Sequence, residues 1–141
     1  MRIYCAAKYE ERERLVPEVY AKLREAGHVI THDWTGESDE NIPPRELDAY
    51  HAACAADDID GVMRADVLVL LPHERGKGLY VELGIAFARK IPVICWDYSG
   101  ELLDCIFLVH PDVIHVDSLE EIIETLSEIE HAEFEQAESA A

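Results

Sequence analysis

The chain has little lysine, four residues against eight arginines, and beyond Lys90 it has no lysine or arginine at all. Thirteen of its thirty acidic residues fall in that cation-free stretch, and the formal net charge is −18. A surface this acidic repels phosphodiester polymers, which excludes DNA or RNA binding as the main role. Many acids with few lysines would suit a salt-rich cytoplasm, and an ordinary acidic protein explains the composition equally well. Long apolar runs are missing too, since none approaches the ~20 residues of a membrane span. Met1-Arg2-Ile3-Tyr4 reads directly as a strand with no basic-then-apolar leader, so a cytoplasmic protein without a membrane partner is expected. The four cysteines, Cys5, Cys54, Cys95 and Cys105, include no C-x-x-C pair; they lack zinc spacing and read as free thiols, with Cys5 and Cys95 buried in strands. His32, His51, His73, His110 and His115 share no spacing that suggests a metal, and Ser99 and Ser118 have no nucleophile-elbow context. The expectation is therefore no metal and no organic cofactor. There is no internal repeat and no linker.

What the chain does have is enough apolar residue, 49% of 141, to bury a core as one domain. It is organised around Gly76-Lys77-Gly78-Leu79-Tyr80-Val81-Glu82-Leu83-Gly84. This stretch follows the apolar run Val67-Leu68-Val69-Leu70-Leu71 and opens a helical pattern through Ile85, Ala86, Phe87 and Ala88. A strand, a glycine-rich turn and a helix start thus come together. In open α/β sheets, ligands sit outside the carboxyl ends of strands, where such turns lie. Gly76, Lys77 and Gly78 are accordingly candidate ligand contacts. Glu82 is expected in the first helical turn, where the helix dipole favours the ionised carboxylate. An ionised glutamate at a pocket rim can act as nucleophile or general base. The plain alternative is a solvated first-turn glutamate.

Taken in order, residues 2–6 read as strand one, and Lys8-Tyr9-Glu10-Glu11-Arg12 as the turn after it. Leu15, Val16, Val19, Tyr20 and Leu23 set helix spacing over residues 11–26. Pro17 marks a kink or a restart in that helix, and Gly27 a C-terminal stop. Strand two is expected over 28–34, then a polar loop over 35–44 that is either a functional lid or a surface excursion. An alanine-rich helix follows over 45–64, strand three over 67–71, helix three over 79–90 and strand four over 92–96. A short helix is expected over 101–108 and strand five over 112–116. Ser118-Leu119-Glu120-Glu121 is a capping box. It opens a last helix with Leu119, Ile122, Ile123, Leu126 and Ile129 on one face. Residues 133–141 read as an acidic, frayed tail, leaving 1–132 as a single domain.

Strands alternating with helices predict an α/β fold, a five-stranded parallel sheet with helices on both faces in the flavodoxin-like (Rossmann-like) order 2-1-3-4-5. Right-handed crossovers then bring the turns after strands one and three to one edge. Lys8, Arg12, Arg75 and Lys77 gather there as candidate phosphate ligands, with N–H groups at helix starts assisting, or else they offset local acids. Trp34 and Trp96 are expected to cover the sheet ends.

Three segments in order are Ile3-Tyr4, Asp58-Ile59-Asp60-Gly61-Val62-Met63-Arg64-Ala65-Asp66-Val67 and Gly78-Leu79-Tyr80-Val81-Glu82-Leu83-Gly84. Together they resemble the nucleoside 2-deoxyribosyltransferases and the related deoxynucleoside 5′-monophosphate N-glycosidases, over roughly residues 1–96. The resemblance implies a retaining reaction. Glu82 attacks the anomeric carbon, the base leaves, and a second base or water resolves the covalent glycosyl-enzyme. It implies further that Tyr4 orients the nucleophile, and that Asp58 holds a sugar hydroxyl or manages the leaving base's proton. The partner expected is a small-molecule nucleoside or nucleotide, with the cations favouring a nucleotide and with Tyr9 and Tyr80 available to stack on the base. Family members are usually homo-oligomers whose pockets a neighbour completes, and the apolar stretch 102–108 is a candidate contact or else core. Two positions depart from the family pattern: Gly76 stands where transferases usually carry an aspartate that helps bind the base, and Leu79 where a small hydroxyl residue is common. They bear on base exchange and leave the glutamate chemistry in place. A nucleotide sensor without turnover would share the fold. So would a response regulator or flavin carrier, although Pro72-His73 stands where a receiver wants its aspartate.

Overall fold

The computed structural model describes residues 1–71, 77–97 and 105–141. Strands β1 (Arg2–Ala6), β2 (Val29–Ile30), β3 (Val67–Leu70), β4 (Val93–Trp96) and β5 (Val113–Val116) form one parallel sheet in the order β2-β1-β3-β4-β5. This is the expected topology. Strands covered on both faces need apolar residues throughout, and β3 is buried at every position while β1 is buried at all but Arg2. Tyr4 pairs with Leu68, and Leu68 with Val93. Asp66 pins the start of the β1–β3 pair, accepting the Arg2 backbone N–H at 2.6 Å and its guanidinium at 2.7 Å. The hydrogen bond from the Arg2 side chain is the main reason the Asp66 carboxyl lies below its ordinary range.

Among the described residues four α-helices fill the first three connections and follow β5: α1 (Leu15–Glu25), α2 (Leu47–Met63), α3 (Lys77–Arg89) and α4 (Leu119–Ser139). Right-handed crossovers in this strand order put α1 on one face and α2 and α3 on the other, and α2 packs along α3. The turn expected over 8–12 is a 3-10 turn at Tyr9–Glu13, and the helix expected over 11–26 starts only after it, as α1. Pro17 is the third residue of α1, where backbone N–H groups have no intrahelical partner, so it marks a restart rather than a kink. Leu15, Val16, Val19, Tyr20 and Leu23 all point into the core. Gly27 closes α1 at φ 88°, with the His28 N–H on the Leu23 carbonyl and the Gly27 N–H on the Arg24 carbonyl, both at 3.0 Å. That pair of bonds satisfies two orphan carbonyls and needs a left-handed residue.

Several boundaries differ from expectation. Strand two pairs only at Val29–Ile30, because the chain turns at Asp33, whose carboxylate accepts the Thr35 N–H at 3.0 Å. Helix α3 already includes Lys77, two residues ahead of the expected Leu79. In the described part of the short helix expected over 101–108, the chain forms turns instead, and the Leu108 carbonyl is engaged by His115 Nε2 at 2.7 Å. Helix α4 continues to Ser139 through the stretch expected to fray, as suits a run rich in alanine and glutamate. Ser118 caps it, accepting the Glu121 N–H at 3.1 Å, while Glu121 reaches back to the Asp117 N–H at 2.8 Å. Among the described residues no helix is long and apolar enough to cross a membrane.

Candidate active site

Tyr4 lies in the middle of β1, fully buried, with its ring against α2. The approach is close because Gly61 has no side chain. A Cβ there would stand 2.9 Å from two Tyr4 ring carbons and 2.7 Å from the His32 Cβ. The Thr31 hydroxyl donates to the Gly61 carbonyl at 2.7 Å and holds this end of α2 against the end of β2. Asp58, nearly one turn earlier on α2, then meets the Tyr4 hydroxyl at 2.9 Å from its Oδ1. Helix α3 delivers Glu82 from the other side, its Oε1 also 2.9 Å from the Tyr4 oxygen. The three residues implied as catalytic thus form one hydrogen-bonded set.

The electrostatics correct one expectation. Glu82 sits in the second turn of α3, where the dipole of the helix start has faded. Burial pushes its carboxyl up to about 8; the Tyr4 hydrogen bond opposes this and the Asp58 charge adds to it. Asp58 is raised as well, by burial first, against the pull of Tyr4. The Tyr4 phenol is driven upward by burial and by both neighbouring carboxylates.

Above this set opens a cleft of about 370 Å³. Tyr4, Asp58 and Glu82 line it together with Lys8 and Tyr9 from the segment after β1 and Lys77 and Gly78 from the start of α3. Arg12 is engaged elsewhere, its guanidinium 4.0 Å over the Tyr9 ring and 3.4 Å from Glu13. Tyr80 lines a separate apolar cavity with Leu83, Phe87 and Phe107. Gly76 and Arg75 lie outside the described residues.

A sequence model of the nucleoside 2-deoxyribosyltransferases matches residues 3–134, nearly the whole chain. The chain belongs to the nucleoside 2-deoxyribosyltransferase family. Its fold resembles that of a 2-deoxyribosyltransferase from the psychrotolerant bacterium Bacillus psychrosaccharolyticus, at TM-score 0.64 and 20% identity over 87% of this chain and 90% of that one. It also resembles the CMP N-glycosidase BcmB of Clostridium botulinum, at TM-score 0.58 and 18% identity over 90% of this chain and 98% of that one. At such identities the likeness speaks to the fold. A comparison with curated proteins gave no match.

In this family member the loop after β2 contributes more than its sequence suggested. Trp34 is buried, donates its indole N–H to the Cys5 carbonyl at 2.8 Å, and forms a wall of the cleft. Glu37 also faces the cleft, its backbone carbonyl held by the Tyr9 hydroxyl at 2.7 Å. His32 Nε2 lies 2.8 Å from Glu37 Oε1 and 3.6 Å from Asp58 Oδ1. One donor atom from each of His32, Glu37 and Asp58 falls within 4.8 Å of the others. The His32–Glu37 and Tyr4–Asp58 hydrogen bonds tie these three residues into the network around Asp58. The only signal for Glu37 in the sequence was the length and polarity of its loop.

Proposed function

We propose that this family member cleaves the N-glycosidic bond of a (deoxy)nucleoside or its 5′-monophosphate through a covalent glycosyl-enzyme on Glu82. The observation that carries this reading is the Tyr4 hydroxyl holding Asp58 and Glu82 together on the floor of the cleft. Ionised Glu82 attacks C1′ on the face opposite the base, through an oxocarbenium-like transition state. The C1′–N bond breaks with its electron pair going to the base nitrogen, and in this reading Asp58 protonates it. Attack by water or a second base on C1′ then frees Glu82 with net retention. Lys8 and Lys77 line the same cleft and suit a 5′-phosphate, so a nucleotide is favoured over a free nucleoside. The solved CMP N-glycosidase of similar fold supports that preference. We extend the proposal to a cytoplasmic protein and, since Ile106, Phe107 and Val109 are 76%, 57% and 59% exposed beside the apolar cavity that Phe107 lines, to a homo-oligomer.

The test is incubation with deoxynucleosides and their 5′-monophosphates, with and without a second free base. Released base indicates hydrolysis and a new nucleoside indicates transfer; binding with neither product makes the protein a sensor. Glu82→Ala should be inert, and near-normal activity in that variant ends the assignment. Lys8→Ala with Lys77→Ala should raise KM for the nucleotide by about tenfold or more while leaving the nucleoside nearly unchanged. Sedimentation equilibrium tests self-association, which Phe107→Glu should weaken.

A further inference from the structure

A phenol hydroxyl has one proton to donate, yet the Tyr4 oxygen lies 2.9 Å from Asp58 Oδ1 and 2.9 Å from Glu82 Oε1. It can donate to one of these. The second contact is a hydrogen bond only when that carboxyl is protonated and donates to the phenol oxygen. Two ionised carboxylates here would leave one facing oxygen lone pairs in a buried site, a costly arrangement. The set therefore holds two protons among three groups, the phenol's own and one on a carboxyl.

We infer that Tyr4 is a proton bridge that moves the carboxyl proton from Glu82 to Asp58, so that a single relay creates the nucleophile and loads the acid that the leaving base requires. The inference rests on the N-glycosidic reading above and specifies where its proton comes from. In the relay, the Glu82 carboxyl gives its proton to the Tyr4 oxygen as the Tyr4 hydroxyl gives its own to Asp58 Oδ1. Tyr4 ends as a neutral phenol, Glu82 as a carboxylate and Asp58 as a carboxylic acid. Glu82 then bonds to C1′, the C1′–N electron pair passes to the base nitrogen, and the Asp58 proton neutralises it. The set carries one negative charge before the step, on Asp58, and one after it, again on Asp58. When water resolves the ester, Asp58 takes the water proton, and the reverse relay restores the resting form.

The surroundings are consistent with the proton resting on Glu82 in the empty cleft. Glu82 is pushed up to about 8, chiefly by burial, whereas Tyr4 and Asp58 are the charged or titratable groups that act on it. Asp58 is raised by burial, Glu37 and Asp57, and is drawn back by Tyr4 and His32. Lys8, Lys77 and Glu10 face the cleft above all three.

Two measurements test the bridge. The first needs no turnover: infrared spectra of the ligand-free full chain near pH 6, for wild type, Glu82→Gln and Asp58→Asn. A carboxylic acid band that disappears in Glu82→Gln and persists in Asp58→Asn is expected. A wild type without such a band, or a band that follows Asp58 instead, overturns the inference and leaves the N-glycosidic reading untouched. The second compares substrates that share one sugar and carry electron-withdrawing groups on the base, which reduce its need for a proton. Tyr4→Phe should lose about 100-fold more on the plain base than on the most activated one, the range that acid catalysis supplies, on top of a loss common to the series because Glu82 keeps its proton. Asp58→Asn should show the same slope. A loss in Tyr4→Phe that is uniform across the series means the phenol only orients Glu82, and the bridge is wrong.

Discussion

Burial pushes the Glu82 carboxyl up to about 8 in the folded protein, from an ordinary 4.5. Because the folded value is the higher, the folded state holds this proton more tightly than the unfolded chain between those two values. The contribution to stability is complete below about 4.5 and is lost as the pH rises through about 8. Glu82→Gln removes the ionisation while keeping the shape. At pH near 9 it should be more stable than wild type by on the order of a few kcal/mol, and the gap should close toward pH 4. Urea unfolding at the two pH values measures this, and parallel pH dependence in both proteins would show that Glu82 ionises freely. Gly61→Ala acts on the same set from the other side. The added methyl meets the Tyr4 ring and the His32 Cβ in a packed layer, so α2 or Tyr4 must shift. We expect a loss of about 1–3 kcal/mol in stability. We also expect kcat to fall more than KM rises, since the displaced ring carries both hydrogen bonds. Tyr4, Asp58 and Glu82 could be named from the sequence because they sit in motifs. Glu37 and His32 could not, because only the fold brings the loop after β2 to Asp58. Gly61 was visible inside its motif, but the reason for it is a distance between elements.

Elements with strong periodicity were legible, and their ends were less so. The five strands stand out because both faces of a parallel sheet demand apolar residues, which made the strand order predictable as well. The turn after strand one was legible, but the end of the 3-10 turn at Tyr9–Glu13 was read into the helix because polar, glutamate-rich residues look like an exposed helical face. Strand two looked longer than it is because Trp34 is apolar for the sheet end it covers rather than for a ladder. Two helix ends allow a paired prediction. Helices α1 and α3 close with the same bond pattern, the second through the Ile91 N–H on the Ala86 carbonyl at 2.8 Å and the Lys90 N–H on the Phe87 carbonyl at 3.2 Å. In α1 the left-handed position is Gly27 at φ 88°, whereas in α3 it is Lys90 at φ 56°. Gly27→Ala should therefore cost about 1–2 kcal/mol, and Lys90→Gly should stabilise by about 0.5–1 kcal/mol, less than the full strain because the unfolded chain gains freedom. Thermal unfolding of the two variants reads the opposite signs directly.

At the scale of the molecule, the governing quantity is a net charge of −18 distributed without balance. Helix α4 alone carries eight glutamates and no lysine or arginine. Glu120, Glu124 and Glu128 follow one another at four-residue spacing, where like charges repel by a few tenths of a kcal/mol per pair. Some acids are matched, as Asp66 is by Arg2 and Glu130 by the Met1 amino group at 3.0 Å. Exposed pairs of this kind offset little, because each is worth less than about 1 kcal/mol. The compact state brings the remaining acids closer than the unfolded chain does, so repulsion should lower stability most when salt is scarce. Raising the ionic strength from about 0.01 M to 1 M shortens the screening length from about 30 Å to about 3 Å, which removes repulsion between helices and leaves only that between nearest neighbours. The melting temperature should rise by several degrees over this range in potassium chloride, and most of the rise should come before about 0.2 M, where the screening length falls below the spacing between elements. A further steep rise between 1 M and saturation would mark a protein that needs bound cations to fold, and a flat curve throughout would show that the acids lie too far apart to matter. Replacing Glu124 and Glu128 with lysine should flatten the low-salt part of the curve while leaving the cleft unchanged, because α4 contributes no residue to it.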